Sequence, residues 1–363
     1  MNPQEREKGK FGFIIHPLEA RRDVARKYPI ARFLPTCAVE FFLKYKSPVM
    51  LSHITGIRSA TGAEAEGWFI GCPLTPKQML TLPLEFVWKR IIEAGMLAAD
   101  AGAKILGLGA FTSVVGDGGV TVAKNLPIAV TTGNSYTVAT AVEGALKAAE
   151  MVGLQPAECS AAVVGAAGSI GKTCAKLLAR EVAELVLVGR NPTRLQEALG
   201  EIREGAKSKL IVASGVEEGL RNADIVITVT SAVDVVIQPK WLKKGSVVCD
   251  VARPRDVSHR VAKEREDVLV IEGGVVEVPG EPDFGFDFGF PPKTAYACMS
   301  ETMMLALERR YENFTLGKDV SVQQVEEMQR LAQKHGFRLA GFRSFERPVT
   351  KERIERVRRA AGR

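Results

Sequence analysis

Short, nearly unbroken apolar runs recur through the second half of the chain. They fall at Ser160–Val164, Leu185–Val188, Lys209–Val212, Ile225–Thr228, Ser246–Asp250 and Val268–Ile271, with helical spacing between the earlier ones. Strands without polar alternation are buried on both faces, and their alternation with helices predicts a parallel sheet covered on both sides. The first half reads differently. A charged helix is expected at Glu19–Arg26. Strands at Val49–Arg58 and Glu66–Ile70 flank the Thr61-Gly62 turn as a hairpin. Met79, Leu80, Phe86, Val87, Ile91 and Ile92 recur at helical spacing and predict one long helix over 76–103. A strand at Ile105–Leu108, a loop rich in Gly, Thr and Ser, a strand at Pro127–Thr131 and a helix over Tyr136–Val152 follow. After Gly274 the strand pattern stops. A loop of Phe, Gly, Asp and Pro runs from Pro279 to Pro292, and helices are expected at Thr294–Tyr311, at Ser321–His335 and, basic in character, near the end.

The strongest local motif is Val164-Gly165-Ala166-Ala167-Gly168-Ser169-Ile170-Gly171-Lys172. It leaves an apolar strand directly and opens a helix, the context in which a glycine triplet cradles a pyrophosphate. Gly165 permits the tight turn, Gly168 a close backbone approach and Gly171 close helix–sheet packing. The helix start then offers free N–H groups to the phosphates. Ala167, Ser169 and Ile170 belong to the same cradle. The next strand ends in Gly189-Arg190-Asn191-Pro192-Thr193-Arg194, without the acid that would hold a ribose diol. Arg190 and Arg194, with Asn191 between them, suit a 2′-phosphate, so NADPH is the expected cofactor. Thr230 and Ser231 after the fourth strand, and Gly273 after the sixth, end at the same edge. They are read as further cofactor contacts, with ordinary strand-end loops as the other reading. The fold class expected is α/β: a Rossmann-type doubly wound parallel sheet over 155–278, preceded by an α/β substrate domain over 1–154. A C-terminal helical segment follows over 279–363.

Composition changes this picture little. The chain is 46% apolar and 25% charged, an ordinary balance for a soluble globular protein. No apolar run approaches the ~20 residues of a membrane span, and the polar start carries no secretory pattern. The six cysteines form no CxxC pair and the four histidines are scattered, so no metal site is expected and a cytoplasmic, reducing setting is. Charge is informative only at the end. From Lys334 to Arg363 ten Lys/Arg face three acids, an excess equal to the net charge of the whole chain, +7. That tail offers an anionic membrane surface or an acidic partner a contact, or is simply a solvated basic helix. No nucleic-acid motif accompanies it. Cys298, in Lys293-Thr294-Ala295-Tyr296-Ala297-Cys298, is expected near a helix start capped by Thr294. There the positive end of the helix favours a thiolate. Spacing alone favours a small core residue, since the helix carries Ala295, Ala297, Met303, Met304, Leu305 and Leu307.

Several separated motifs stand in order along the chain: Phe11-Gly12-Phe13-Ile14-Ile15-His16, Ser59-Ala60-Thr61-Gly62, Leu108-Gly109-Ala110-Phe111-Thr112-Ser113 and Thr131-Thr132-Gly133-Asn134-Ser135. After the glycine triplet come Gly273-Gly274-Val275-Val276-Glu277, Tyr296-Ala297-Cys298 and Lys334-His335-Gly336-Phe337. Together they resemble the long-chain acyl-[acyl-carrier-protein] reductases known from cyanobacteria. The resemblance implies reduction of an acyl thioester, carried by acyl carrier protein or coenzyme A, to an aldehyde. Cys298 would be the acylated nucleophile. Phe111, Thr112, Ser113, Asn134 and Ser135 would line the acyl and nicotinamide region and donate to the oxyanion. His16 matches a family histidine, for which a structural role is preferred. The chain departs from the family in the shorter Phe-rich loop 278–292, in Val251-Ala252-Arg253-Pro254 after the fifth strand, and in the tail beyond Phe345. Other readings are an NADP-dependent dehydrogenase of a small polar acid, in the manner of shikimate dehydrogenase, or an NADPH-binding protein without catalysis. A glutamyl-tRNA reductase is disfavoured because its N-terminal cysteine motif is not evident around Cys37.

Overall fold

The computed structural model describes residues 7–232 and 235–363, and the chain forms two compact units. The first comprises residues up to 134 with 276–318 and 327–338. The second comprises 135–275, 319–326 and 339–363. Residues of the expected C-terminal segment are thus shared between both units.

The first unit holds a six-stranded mixed sheet. In chain order its strands are β1 (Gly9–Ile15), β2 (Val49–Arg58), β3 (Glu64–Gly71), β4 (Ile105–Leu108) and β5 (Ala129–Thr131). The sixth, Gly280–Asp283, completes the order with β2, β3, β1, β4 and β5 following it across the sheet. β1 runs parallel to β3 and β4, and β4 parallel to β5, while β2 and β3 form the expected antiparallel hairpin. Gly280–Asp283 falls inside the expected loop 279–292. It joins antiparallel to β2, an edge position that tolerates a proline (Pro282). The helices α1 (Ala20–Ala25) and α2 (Thr36–Tyr45) precede the hairpin.

The long helix expected over 76–103 is two helices, α3 (Pro76–Thr81) and α4 (Leu84–Asp100). Pro83 is the reason: it cannot donate to the ladder and disfavours helical backbone in Leu82, so it serves as the N-cap of α4 instead. Gly12 of β1 lies against Ala98 of α4, and Gly107 of β4 against Thr302, so the two faces of the sheet are covered by different helices. A short helix, α5 (Val120–Lys124), follows β4, and α6 (Asn134–Met151) opens at the end of β5.

In the second unit β6 (Ser160–Val164), β7 (Glu184–Val188), β8 (Lys209–Val212), β9 (Ile225–Thr228), β10 (Val247–Asp250) and β11 (Leu269–Glu272) make one all-parallel sheet. Its order, β8-β7-β6-β9-β10-β11, is the doubly wound arrangement of a Rossmann fold. α7 (Ser169–Leu178), α8 (Pro192–Arg203), α9 (Val216–Leu220) and α10 (His259–Glu264) alternate with the strands.

The helix expected to begin at Thr294 begins later, as α11 (Ala297–Leu307). Thr294 donates to the Pro291 carbonyl and sits in a short strand, Thr294–Tyr296, so Tyr296 rather than Thr294 is the N-cap. α12 (Val322–His335) and α13 (Lys351–Ala360) follow. α13 is not a free basic tail. Ile354 and Val357 are buried, Arg353 donates to the carbonyls of Arg265 and Val268, Arg356 pairs with Glu266, and Arg363 with Asp224. Among the described residues no helix is long and apolar enough to cross a membrane.

Candidate active site

At the carboxyl edge of the second unit the glycine triplet folds as its spacing demands. Gly165 has φ +89°, and a Cβ there would stand 2.6 Å from the Val229 carbonyl oxygen; one on Gly171 would stand 2.2 Å from the Gly165 oxygen. Turn, helix start and neighbouring strand end are therefore pressed together, with exposed Gly168 as the N-cap of α7. The cradle has unused donors. Ser169 Oγ is buried without a hydrogen-bond partner in the first turn of α7. Arg190 and Arg194, exposed at the end of β7, form no ion pair among the described residues. Asn191 has a local task as well, since its side chain caps α8 by accepting from the Arg194 N–H at 3.1 Å. Ala167 borders the β7 end, its Cβ 4.0 Å from where a Gly189 Cβ would lie, and Ile170 continues the helix. A glycine cradle with a partnerless buried hydroxyl at a helix start fits the phosphates of a nicotinamide dinucleotide.

On the other side of β6, buried Asp256 organises the chain after β9. It accepts from Thr228 Oγ1 (2.6 Å), the Thr230 N–H (2.9 Å) and Thr230 Oγ1 (2.6 Å). Ser231 follows, exposed. Asp250, at the end of β10, accepts from the N–H groups of Ala252 and Val257. Burial nevertheless raises its carboxyl to about 6. Gly273 packs against Val251 and Cys249 at the far end of the edge. Sequence reasoning missed Asp256, because a lone acid in a loop 28 residues from its threonine carries no periodic signal.

In the first unit the strand ends of β1, β4 and β5, neighbours in the sheet, carry His16, the 109–113 turn and the 132–134 turn. His16 Nε2 accepts from the Phe111 N–H at 3.1 Å, and Nδ1 lies 3.3 Å from the Pro17 carbonyl, so the imidazole is neutral and holds the turn. Burial pushes it down to about 4. The folded pKa lies below the unfolded one, so the unfolded chain takes up the proton first and stability falls as pH drops from about 6.5 towards 4. We expect a loss of roughly 2–3 kcal/mol over that window, read by urea denaturation and absent in His16→Asn. Thr112 Oγ1 and Ser113 Oγ donate to Gly109 and Ala110 carbonyls within their own turn, and Phe111 is buried over it.

Cys298 is the second residue of α11. Gly133, with φ +73°, lies so close that a Cβ would stand 2.3 Å from both Cα and Cβ of Cys298. One turn on, Thr302 Oγ1 donates to the Cys298 carbonyl at 3.2 Å. Glu301 is fully buried and accepts from Thr131 Oγ1 at 2.6 Å and Thr315 Oγ1 at 3.0 Å. Thr132 in turn donates to the Thr315 carbonyl from both its N–H and its hydroxyl. This network clamps the 131–134 turn onto the start of α11. Asn134 is buried in the first turn of α6, and Ser135 after it is fully buried. The other cysteines are unlike Cys298. Burial holds Cys72 and Cys174 up to about 12 and Cys159 to about 11, raises Cys249 further, and Cys37 is exposed on α2. Cys298 is partly accessible and backed by a fixed turn.

With this geometry in hand, the pattern of the shikimate/quinate 5-dehydrogenase family matches residues 147–272, which include the parallel sheet of the second unit. The aminotransferase PigE of Serratia sp. is 32% identical over 360 residues, 96% of this chain and 42% of PigE. The chain therefore spans about two fifths of the length of that relative. The long-chain acyl-[acyl-carrier-protein] reductase of Synechococcus elongatus is 28% identical over 351 residues, covering 90% of this chain and 98% of that protein. Among solved structures, Entamoeba histolytica malic enzyme superposes with a TM-score of 0.40 at 13% identity, over 98% of this chain and 75% of that one. A superposition of that quality adds nothing to the strand order.

Proposed function

We propose that this protein is an NADP(H)-dependent oxidoreductase that reduces an acyl thioester to an aldehyde through a covalent intermediate on Cys298. The observation that carries the reading is the setting of Cys298: a partly accessible thiol in the first turn of an eleven-residue helix, held by Gly133 and the buried Glu301 network. The likeness to the Synechococcus reductase over nearly its whole length supports the same chemistry.

In this reading the Cys298 thiolate attacks the thioester carbonyl. A new carbon–sulfur bond forms to Sγ, and the carrier's thiolate leaves and is protonated. Bound NADPH supplies the hydride for the second half. The chain's own part is to hold Sγ against the fixed 132–134 turn and to offer the first-turn N–H groups of α11 to the developing oxyanion. It then takes back the thiol once aldehyde departs. The residues that would hold the dinucleotide are Gly165, Gly168, Ser169 and Gly171 at the phosphates, with Arg190 and Arg194 at the 2′-phosphate.

The test is to add long-chain acyl carrier protein or acyl-coenzyme A to the protein and follow NADPH oxidation together with aldehyde. Stoichiometric aldehyde is expected; tight NADPH binding with no aldehyde would sink the reading. The family match over 147–272 favours a second possibility, a dehydrogenase of a small polar acid. It predicts NADP⁺-dependent oxidation of such an acid with no need of Cys298. The cofactor assignment has its own test. Arg190→Ala/Arg194→Ala should weaken NADPH about 30- to 1,000-fold while leaving NADH within about twofold, each guanidinium–phosphate contact contributing roughly 1–2 kcal/mol. Equal losses for both nucleotides in a binding titration would remove these arginines from 2′-phosphate recognition.

A further inference from the structure

Between β1 and β2 the chain builds a small helical lobe, α1, the short turn of helix Pro29–Phe33, and α2, around a minor core of Ala20, Ala31, Val39 and Leu43. α2 is apolar on two opposite faces. Val39 and Leu43 point into that core, whereas Phe41, Phe42 and Tyr45 face outward and touch one another, with ring centroids 5.9 and 5.1 Å apart. Phe33 is 80% exposed, Ile30 69%, Phe42 65% and Phe41 59%. Scattered exposed apolar residues are ordinary, but a cluster of large ones this exposed marks a surface that meets something apolar. The lobe is also basic. Residues 17–48 carry seven Lys/Arg against three acids. Arg22 and Arg26 are paired, but Arg21, Lys27, Arg32, Lys44 and Lys46 have no carboxylate partner among the described residues.

We propose that this lobe is a membrane-docking surface, with its aromatic rings in the headgroup region of an anionic bilayer and its unpaired cations on lipid phosphates. Rings with lysines and arginines around them are the composition of segments that lie in a membrane interface. A second copy of the chain is a poor occupant, because a two-fold contact sets one net-positive lobe against another. An acidic protein would satisfy the cations, but it leaves outward rings on two successive helical pieces in search of a fixed apolar cavity. A fluid interface accepts them without one. The C-terminal helix α13 is a poorer candidate for such a contact, since Arg353 and Arg356 and its apolar face are engaged on its own unit. This inference does not rest on the reductase reading.

The test uses the full chain and vesicles, with no acyl substrate. The wild-type protein should float with phosphatidylcholine vesicles containing about one-third phosphatidylglycerol, not with phosphatidylcholine alone, and should release at high salt. Lys27→Glu/Arg32→Glu/Lys44→Glu should weaken binding on the order of 100-fold, at about fivefold per cation. Phe33→Ser/Phe41→Ser/Phe42→Ser should weaken it roughly tenfold or more. Circular dichroism melting reports that both remain folded, and Arg359→Glu in α13 should bind as wild type. Failure of the wild-type chain to bind, or undiminished binding by the folded Phe variant, would overturn the proposal. So would loss of binding in Arg359→Glu, or light scattering showing that the lobe variants dissociate a dimer.

Discussion

Cys298→Ala should lose aldehyde formation by on the order of 10³-fold or more while binding NADPH as the wild type does, because a nucleophile removed outright takes the covalent route with it. The change is small and the site partly accessible, so folding should survive it. Two further readouts separate a nucleophile from a packing residue. Incubated with acyl thioester in the absence of NADPH, the wild type should gain the mass of one acyl group, lost again on adding NADPH, and the variant should gain none. Cys37→Ser, which alters an exposed thiol at the same position of another helix, should leave both mass gain and turnover intact. If Cys298→Ala turns over as the wild type does, Cys298 leaves the chemistry and the dehydrogenase reading of the nucleotide half becomes the better one.

What could be read from the chain, and what could not, follows from the range of the interactions. The Rossmann strands were legible because parallel strands buried on both faces leave a continuous apolar signature, and the glycine triplet because its demands are local: Gly165 and Gly171 answer to atoms within a few residues or one strand away. Periodicity misled where it met a proline. Met79 to Ile92 keep a helical rhythm across Pro83, yet the missing N–H splits the helix. The strand Gly280–Asp283 was hidden because an edge strand with Gly and Pro has no alternation to betray it. The sequence could suggest Cys298 but not what secures it. Glu301 looks like a solvent-facing acid in a helix, and its burial depends on Thr131, 170 residues upstream, and Thr315, 14 residues downstream. Basic character alone pointed to the tail, whereas Arg353 and Arg356 find partners in the loop before β11, about 90 residues earlier.

Gly133→Ala should be the most damaging substitution of a residue that does no chemistry. Two penalties coincide at this position. The backbone is left-handed at φ +73°, which costs a residue with a Cβ about 1–3 kcal/mol. The new methyl would also stand 2.3 Å from Cys298 Cα and Cβ and 2.7 Å from its carbonyl oxygen, all atoms fixed by the first turn of α11. Overpacking against backbone of this kind adds about 1–3 kcal/mol. Urea denaturation should therefore show a loss of about 2–6 kcal/mol. Turnover should fall at least about a hundredfold if the helix start yields, since a shift of an ångström at a nucleophile has that effect. Gly62→Ala isolates the first penalty: its φ is +81°, but no atom lies within 4 Å of the added Cβ. It should lose only the strain and keep its activity. A Gly133→Ala protein no worse than Gly62→Ala would mean that the 132–134 turn does not bear on Cys298, and the clamp built by Thr131, Glu301 and Thr315 would then serve stability without positioning the thiol.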